Sequence, residues 1–571
     1  MKKLFVAMAI LMCIALPMVF AGGSAEKDTA EKVDTQISVE EAISTAIMRC
    51  EEAGFKRYSD FNIENIDLSR PSTYSTGQRL PQLTIYSTSL SNLLPFDKAN
   101  SGLTMRLYCY EPLFADYGYN GDGNLVPVVG KEYVNGDNET TITIYDYVYD
   151  TEGNHITASD VVFSVNTYIA SGYAEFTAYF DKIEVVDDYT VRITWKNDGL
   201  NVLGVLESIL SRSTIFSEKA WNEHDFTSDP VTTGPYKMGD YVIGAYYEFD
   251  ANDSYWQKPE LTAPSQKRNV QKIRLNVITD DSMKLAAFTS GQVAYITGGE
   301  DLLGSFMPGG NLANDSKYTK VYQEGASFCM LLPNLDSPVM KDKNLRLAIF
   351  YALDGADLAN GLSYMTHTQC YGLEPPLSLD YDSDWDSMKN YQSEYNLELA
   401  KEYLSKSSYK GEPIKILVKN HLEKVTVCEV VQQILSASLG LNIEITTTAS
   451  STFKSDVAAG NWDIVYDNDN APNYVSYTLN TRFLASNYKN NKTMNFIDDP
   501  VLQQKLEIIG NRTTSSKEAL TDLHNYMIEN AYGYGICCTT TYFIFDRTFA
   551  AVCRTQNTNN FYYGACEYYL D

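Results

Sequence analysis

Polar and apolar positions alternate most regularly between Thr141 and Tyr149. Thr141, Thr143, Tyr145, Tyr147 and Tyr149 take one phase, and Ile142, Ile144 and Val148 the other, which is the period of two of a strand. Glu152-Gly153-Asn154 makes a turn. Thr157-Ala158-Ser159-Asp160 then opens a helix, with Thr157 as cap and Asp160 closing the box. Tyr189–Trp195 predicts another strand. In Thr232–Trp256, Gly234-Pro235 restricts the backbone, Tyr236–Met238 leads to Tyr241–Ile243, and Ala245–Phe249 follows, with Gly244 at a hairpin position. Tyr255-Trp256 closes that stretch with two rings that need an apolar seat.

The same reading extends to both ends of the chain. Ser38-Val39-Glu40-Glu41 is a capping box, and Val39, Ala42, Ile43, Ala46, Ile47 and Cys50 fall on one helical face, with a stop expected at Gly54. From Asp60 to Gln82 there is little periodicity. Leu83–Ser87 and Lys272–Val277 predict strands, and Ser282–Ile296 a helix stopped by Gly291 and followed by a strand. Leu345, Ala348, Ile349 and Ala352 define one buried helix face, on which Arg346 and Asp354 read as structural. Ile414–Val418, a helix over Val425–Leu439 stopped by Gly440, and Leu441–Thr446 form a β-α-β order that argues a parallel α/β lobe. Phe453–Ala459 is expected as a helix and Gly460–Tyr466 as a strand after a turn. A polar, aromatic segment, Asp467–Tyr488, follows, and Tyr534–Leu570 is strand-rich.

Composition narrows the picture. A chain of 571 residues is too long for one core, so two or three lobes are expected. A net charge of -28 repels phosphate backbones and makes nucleic acid a poor partner. Tyrosine, 43 residues against 23 Phe, joins an apolar face to a hydrogen-bonding tip and suits a wet cleft as well as strands. Lys2 and Lys3, the apolar run Leu4–Leu16 and Pro17 make residues 1–21 a secretory signal peptide, too short to span a membrane. No cysteine stands at its cleavage point, so a soluble periplasmic protein without a lipid anchor is expected. Nine cysteines would remain after loss of Cys13. Cys537, Cys538, Cys553 and Cys566 read as buried small side chains, or as strands joined by a bridge in an oxidising compartment. There is no CxxC, no HExxH among the five histidines, no G-x-S-x-G elbow and no phosphate loop, so no metal, cofactor or catalytic residue is expected.

Several blocks resemble, in order, the extracytoplasmic solute-binding proteins of family 5, the oligopeptide- and dipeptide-binding proteins of ABC importers. Leu107–Phe114, LYCYEPLF, is similar to that family's "YEgLf" helix, and Leu125–Gly130 to its "l.P.lA" strand. ITASDVVFS, Ile156–Ser164, is similar to ".TA.DVvfs", although the usual "vkwhdG" before it is YVYDTEG. Thr232–Trp256 resembles the "TGPY" hairpin, Ser282–Ile296 the helix before "sGevD" with Ala294 in place of the Asp, and Asp342–Asp354 the helix "D.rvRqAi.yAiDr".

The resemblance spans about residues 83 to 571. It implies an α/β, two-lobed periplasmic-binding-protein-like fold of the Venus-flytrap type, class II, with an extra subdomain in lobe one. The boundaries it implies are 22–80 for a polar leader and helical extension, 81–325 for lobe one with its subdomain at about 111–190, 326–530 for lobe two, and 531–571 for a return to lobe one. It also implies a monomer that closes on a small solute, most simply an oligopeptide, and delivers it to the membrane subunits of an ABC importer. In peptide-binding relatives an Asp after the strand "g.yD" meets the ligand's amine, a cation that needs a carboxylate in a partly dry site. The matching stretch is WDIVYDNDNAP. It makes Asp469, then Asp467, the candidate ligand-binding carboxylates, with Trp462 or Tyr466 as an aromatic wall. Asn-Asp runs are also ordinary loop chemistry, so a solvated turn is the alternative. Glu300, after Gly298-Gly299, is a further candidate at a strand end. The segment is shorter than usual and lacks a second Trp, which leaves an oligosaccharide or other uncharged solute as the alternative ligand. A secreted hydrolase is the alternative from another class.

Overall fold

A computed structural model describes residues 47–87, 92–96, 101–116, 125–171, 177–355, 358–359, 367–378, 380–450, 452–470, 474–485, 497–553 and 561–571. The expected signal peptide, the expected leader and the capping box at Ser38–Glu41 lie outside these residues.

Lobe one is built on a four-stranded sheet. The hairpin Tyr236–Val242 and Tyr246–Ala251 turns at Gly244, whose φ is +77°. Its second strand pairs with Val270–Val277, which runs parallel to Leu80–Ser87. The subdomain is an antiparallel sheet in the order Gly130–Asn135, Glu139–Ile144, Thr190–Trp195, Phe180–Asp187, with the helix Ala158–Ala170 packed on it. That helix is capped as its sequence predicts, Asp160 accepting from the Thr157 N–H at 2.8 Å.

Two expected elements end early. The strand from Thr141 stops at Ile144 rather than reaching Tyr149, because Tyr145 leaves the sheet to bond Val129 through its N–H. The helix expected across Leu107–Phe114 ends at Tyr108. Glu111–Pro112 and Phe114–Asp116 are short strands instead, with Pro112 opposite Thr214 and Glu111 opposite Ile215. Proline disfavours helical backbone in the residue before it, which accounts for the break.

The Thr232–Trp256 stretch locks these pieces together. Gly234 lies so close to the turn after the helix Ser101–Tyr108 that a Cβ there would stand 2.4 Å from the Cys109 carbonyl carbon. Glycine is needed there for close approach rather than for turning. The Thr233 hydroxyl donates to Ile215 O at 2.8 Å, and the Trp256 indole donates to Thr233 O at 2.8 Å. Tyr255 donates at 2.6 Å to the buried carboxylate of Glu111, which also accepts from Gln266 at 3.0 Å.

Lobe two contains the predicted parallel unit. Ile414–Lys419 and Ile443–Thr448 are parallel neighbours joined by the helix Leu422–Leu439, and Ile464–Asn470 pairs parallel on the other side. Two apolar cores cover the two faces of this sheet. Arg346 is buried and structural, donating to the carbonyls of Met340, Lys341, Asn530 and Ala531.

Two long strands join the lobes. Tyr318–Pro333 and Tyr534–Asp546 run antiparallel; their register breaks between Gln323 and Ser327 and shifts again between Cys329 and Met330. Val321 and Tyr322 before the break, with Tyr542–Phe545 on the partner strand, belong to the lobe-one core. Phe328–Leu332 after it, with Tyr534–Cys538, belong to the lobe-two cores. Residues of the N-terminal extension are built into lobe one. Lys56–Arg57 pairs parallel with Val321–Tyr322, Phe55 packs edge-on against Tyr542, and Cys50 is fully buried.

Candidate ligand-binding cleft at the lobe crossing

All three parallel strands of lobe two end on one side, at Lys419, Thr448 and Asn470. Asn470 pairs with Ser327, and Ser327 pairs with Thr539, so these carboxyl ends lie at the crossing between the lobes. In open α/β sheets this edge is where ligands bind, because loops there diverge and leave a crevice. From the other lobe, the strand Tyr295–Gly298 reaches the same place, Gly298 pairing with Tyr542. The two stretches singled out in the sequence, 298–300 and 467–470, thus approach one crossing from opposite sides.

The acidic run is neither a turn nor a free loop. The strand Ile464–Asn470 continues through it, held by pairing of Asp467, Asn468, Asp469 and Asn470 with Met330, Cys329, Phe328 and Ser327. Asp467 is largely enclosed and ion-paired. Arg482, itself buried, donates to it at 3.0 Å, Lys419 Nζ stands 3.8 Å away, and the Asn468 N–H donates at 2.9 Å. Burial pushes the Asp467 carboxyl up, but the two cations and these hydrogen bonds hold it below the usual carboxylate range. Asn468 bridges outward, donating to Ser327 Oγ at 3.0 Å and accepting from Lys424. Burial, then the neighbouring Lys419, pulls the Lys424 ammonium down. Lys419 also lies 4.5 Å over the Phe453 ring.

The aromatic candidates sit elsewhere. Trp462 is 5% exposed, within a lobe-two core, and its indole donates to Val457 O at 2.9 Å. Tyr466 is 4% exposed in the core on the opposite face, against the Cys329 thiol. Both are walls of the lobe rather than of an open cleft in this structure. Asp469 is placed by its backbone opposite Phe328, and Glu300 opens the short helix Glu300–Leu303; their side chains lie outside the described residues.

Arg482, Lys419 and Lys424 were not among the candidates from sequence. Lys419 stands at the end of a strand that was legible. Arg482 lies 15 residues beyond Asp467, a spacing that no helix or strand period brings together.

The lobes meet a second time away from the crossing. Val202 and Asn511 form an antiparallel bridge, with Leu203 N–H donating to Gly510 O at 2.8 Å and Arg512 N–H to Asn201 O at 2.7 Å. Asn511 donates to Asp198 at 2.8 Å, and Arg512 pairs with Glu207. Tyr477 of lobe two packs on the lobe-one core. Among the described residues no cluster of His, Cys, Asp and Glu suited to a metal occurs, and no helix is long and apolar enough to cross a membrane.

Comparison with known proteins fits this geometry. The oligopeptide-binding protein AppA of Bacillus subtilis is 24% identical over 341 residues, 55% of this chain and 59% of its own. The chain spans 28% and 59% of the lengths of the first two curated relatives it matches. The structure of DppA from Helicobacter pylori, in complex with the peptide STSA, superposes with a TM-score of 0.71 at 16% identity. It covers 88% of this chain and 100% of that one. NikA from Brucella suis, in complex with Fe(III)-EDTA, superposes with a TM-score of 0.68 at 18% identity, over 85% and 99%. Residues 124–491 match the profile of the middle region of the bacterial extracellular solute-binding proteins, family 5. That family comprises solute-binding proteins and not enzymes, which removes the hydrolase alternative. With that match over more than half its length, and with a fold shared with solved members over most of the chain, the chain belongs to the family-5 bacterial extracellular solute-binding proteins.

Proposed function

We propose that the protein is a monomeric extracytoplasmic receptor that closes its two lobes around an oligopeptide and delivers it to the membrane subunits of an ABC importer. The observation that carries this reading is the convergence of the lobe-two strand ends and the Gly298–Glu300 stretch on one interlobe crossing. An extended peptide there would meet backbone donors and acceptors without demanding a particular sequence. Relatives named for peptide binding support the ligand class. Asp467 is occupied by Arg482 and Lys419, so Asp469 is proposed as the anchor for the ligand's amine, with Asp467 as its support. Trp462 and Tyr466 are proposed to back the site from within the lobe, and Glu300 to face it from lobe one.

Native mass spectrometry of the ligand that co-purifies with the exported protein tests the class directly. A peptide is expected. An oligosaccharide or another uncharged solute would transfer the same cleft to the second reading, which the occupied charge of Asp467 favours. Asp469→Asn should weaken peptides with a free amine roughly 10–100-fold and N-acetylated ones little. Equal losses would clear Asp469 of the role, and a melting temperature unmoved by concentrated peptide pools would sink the peptide reading itself.

A further inference from the structure

Adjacent residues on a strand point to opposite faces, and Cys537 and Cys538 do so on the second crossing strand. Cys537 lies in one lobe-two core with Cys329 and Tyr466, and Cys538 in the other with Cys370. Cys329 and Cys537 are directly opposed across the two crossing strands, and their thiols are hydrogen-bonded to each other. Directly opposed antiparallel residues hold their Cα atoms about 4.5–5.5 Å apart, inside the ~4.4–6.8 Å that a disulfide spans. Cys370 and Cys538 are hydrogen-bonded in the same way, but the Cys370 N–H bonds Ile536 O, so that pair stands on the diagonal, where the Cα separation is larger.

We propose that Cys329 and Cys537 form a disulfide as the chain folds in its oxidising extracytoplasmic compartment. One thiolate attacks a sulfur of a disulfide oxidant, forming a mixed disulfide and releasing one oxidant thiolate. The second cysteine's thiolate then attacks the cysteine sulfur of that mixed disulfide, and the other oxidant thiolate leaves. The two protons given up by the cysteines end on the two leaving groups, and the oxidant is reduced by two electrons. The exchange precedes closure of the core, because the native residues are 4% and 0% exposed. The mutual hydrogen bond and burial also push the Cys537 thiol up, which makes it a poor nucleophile once folded. The bridge pins the two crossing strands to each other on the lobe-two side of the break at Gln323–Ser327, beside the second register shift at Cys329–Met330.

The test is to refold the reduced, denatured chain in a buffer of oxidised and reduced glutathione, alkylate it in denaturant and map the peptides. Linked peptides carrying Cys329 and Cys537 are expected, with neither residue alkylated. Dithiothreitol should then lower the melting temperature by about 5 °C or more. That drop should vanish in Cys329→Ala/Cys537→Ala and persist in Cys370→Ala. Alkylation of both residues, or linkage of either to another cysteine, overturns the proposal. The map of the unaltered chain decides it even if the double variant does not fold.

Discussion

Glu111 in lobe one and Asp467 in lobe two are both carboxylates withdrawn from water, and their surroundings treat them in opposite ways. Glu111 meets neutral donors, the Tyr255 hydroxyl and the Gln266 amide. Burial outweighs these hydrogen bonds and pushes its carboxyl up to about 7. Asp467 meets two cations, and they hold it charged. The difference tracks position. Glu111 ties the short strand at Glu111–Pro112 to the end of the hairpin stretch, a bracing task that a neutral carboxyl performs as well as a charged one. Asp467 lies at the strand ends beside the lobe crossing, where a fixed charge holds Arg482 and Lys419 against the sheet. Isolated buried charge is costly, so a carboxylate that stays ionised there needs such partners.

Substitutions that remove or swap these partners test the contrast. Arg482→Met should have the largest effect, a loss of about 3–5 kcal/mol in chemical denaturation, because it strands Asp467 without its principal partner; a loss below 1 kcal/mol would show the pair to be dispensable. Glu111→Gln comes next, read as the pH dependence of stability. The folded carboxyl titrates above its ordinary value of 4.5, so its contribution is complete below that pH and is lost as pH rises through about 7. The wild type should therefore lose about 3 kcal/mol more than Glu111→Gln between pH 4.5 and 8. Parallel pH profiles would contradict the raised titration. Asp467 carries the opposite sign: its contribution is complete above 3.8 and is lost as pH falls through its lower folded value.

Tyr255→Phe should cost about 1–2 kcal/mol by thermal melts, the price of one missing donor to a buried acceptor. Arg512→Ala, which removes a half-exposed ion pair with Glu207, should change stability by less than about 1 kcal/mol. A larger loss would mark the second interlobe contact as a principal brace.

Much of the frame was legible before any tertiary contact was known. The capped helix after Thr157, the hairpin turning at Gly244 and the parallel unit from Ile414 to Thr448 all form where period and punctuation put them. The candidate cleft was legible as a region and less so as residues. Asp467–Asn470 has the composition of a loop, yet it is a strand, because Ser327–Met330 supplies partners for its backbone. Trp462 and Tyr466 had the right chemistry for an aromatic wall. Alternation along a strand assigns faces without saying which face is covered, and both faces of this sheet are.

Local chemistry therefore sufficed wherever a residue's role is set by its near neighbours along the chain: caps, turns, periodic faces, the lobe-two crossover and the order of family motifs. Tertiary structure alone decided which side chains answer each other across long separations. Arg482 neutralises Asp467, Glu111 is shared by Tyr255 and Gln266, and Cys329 stands opposite Cys537. Such pairings follow from how sheets and helices stack, and stacking is fixed by the burial of whole faces, which no short stretch of sequence encodes.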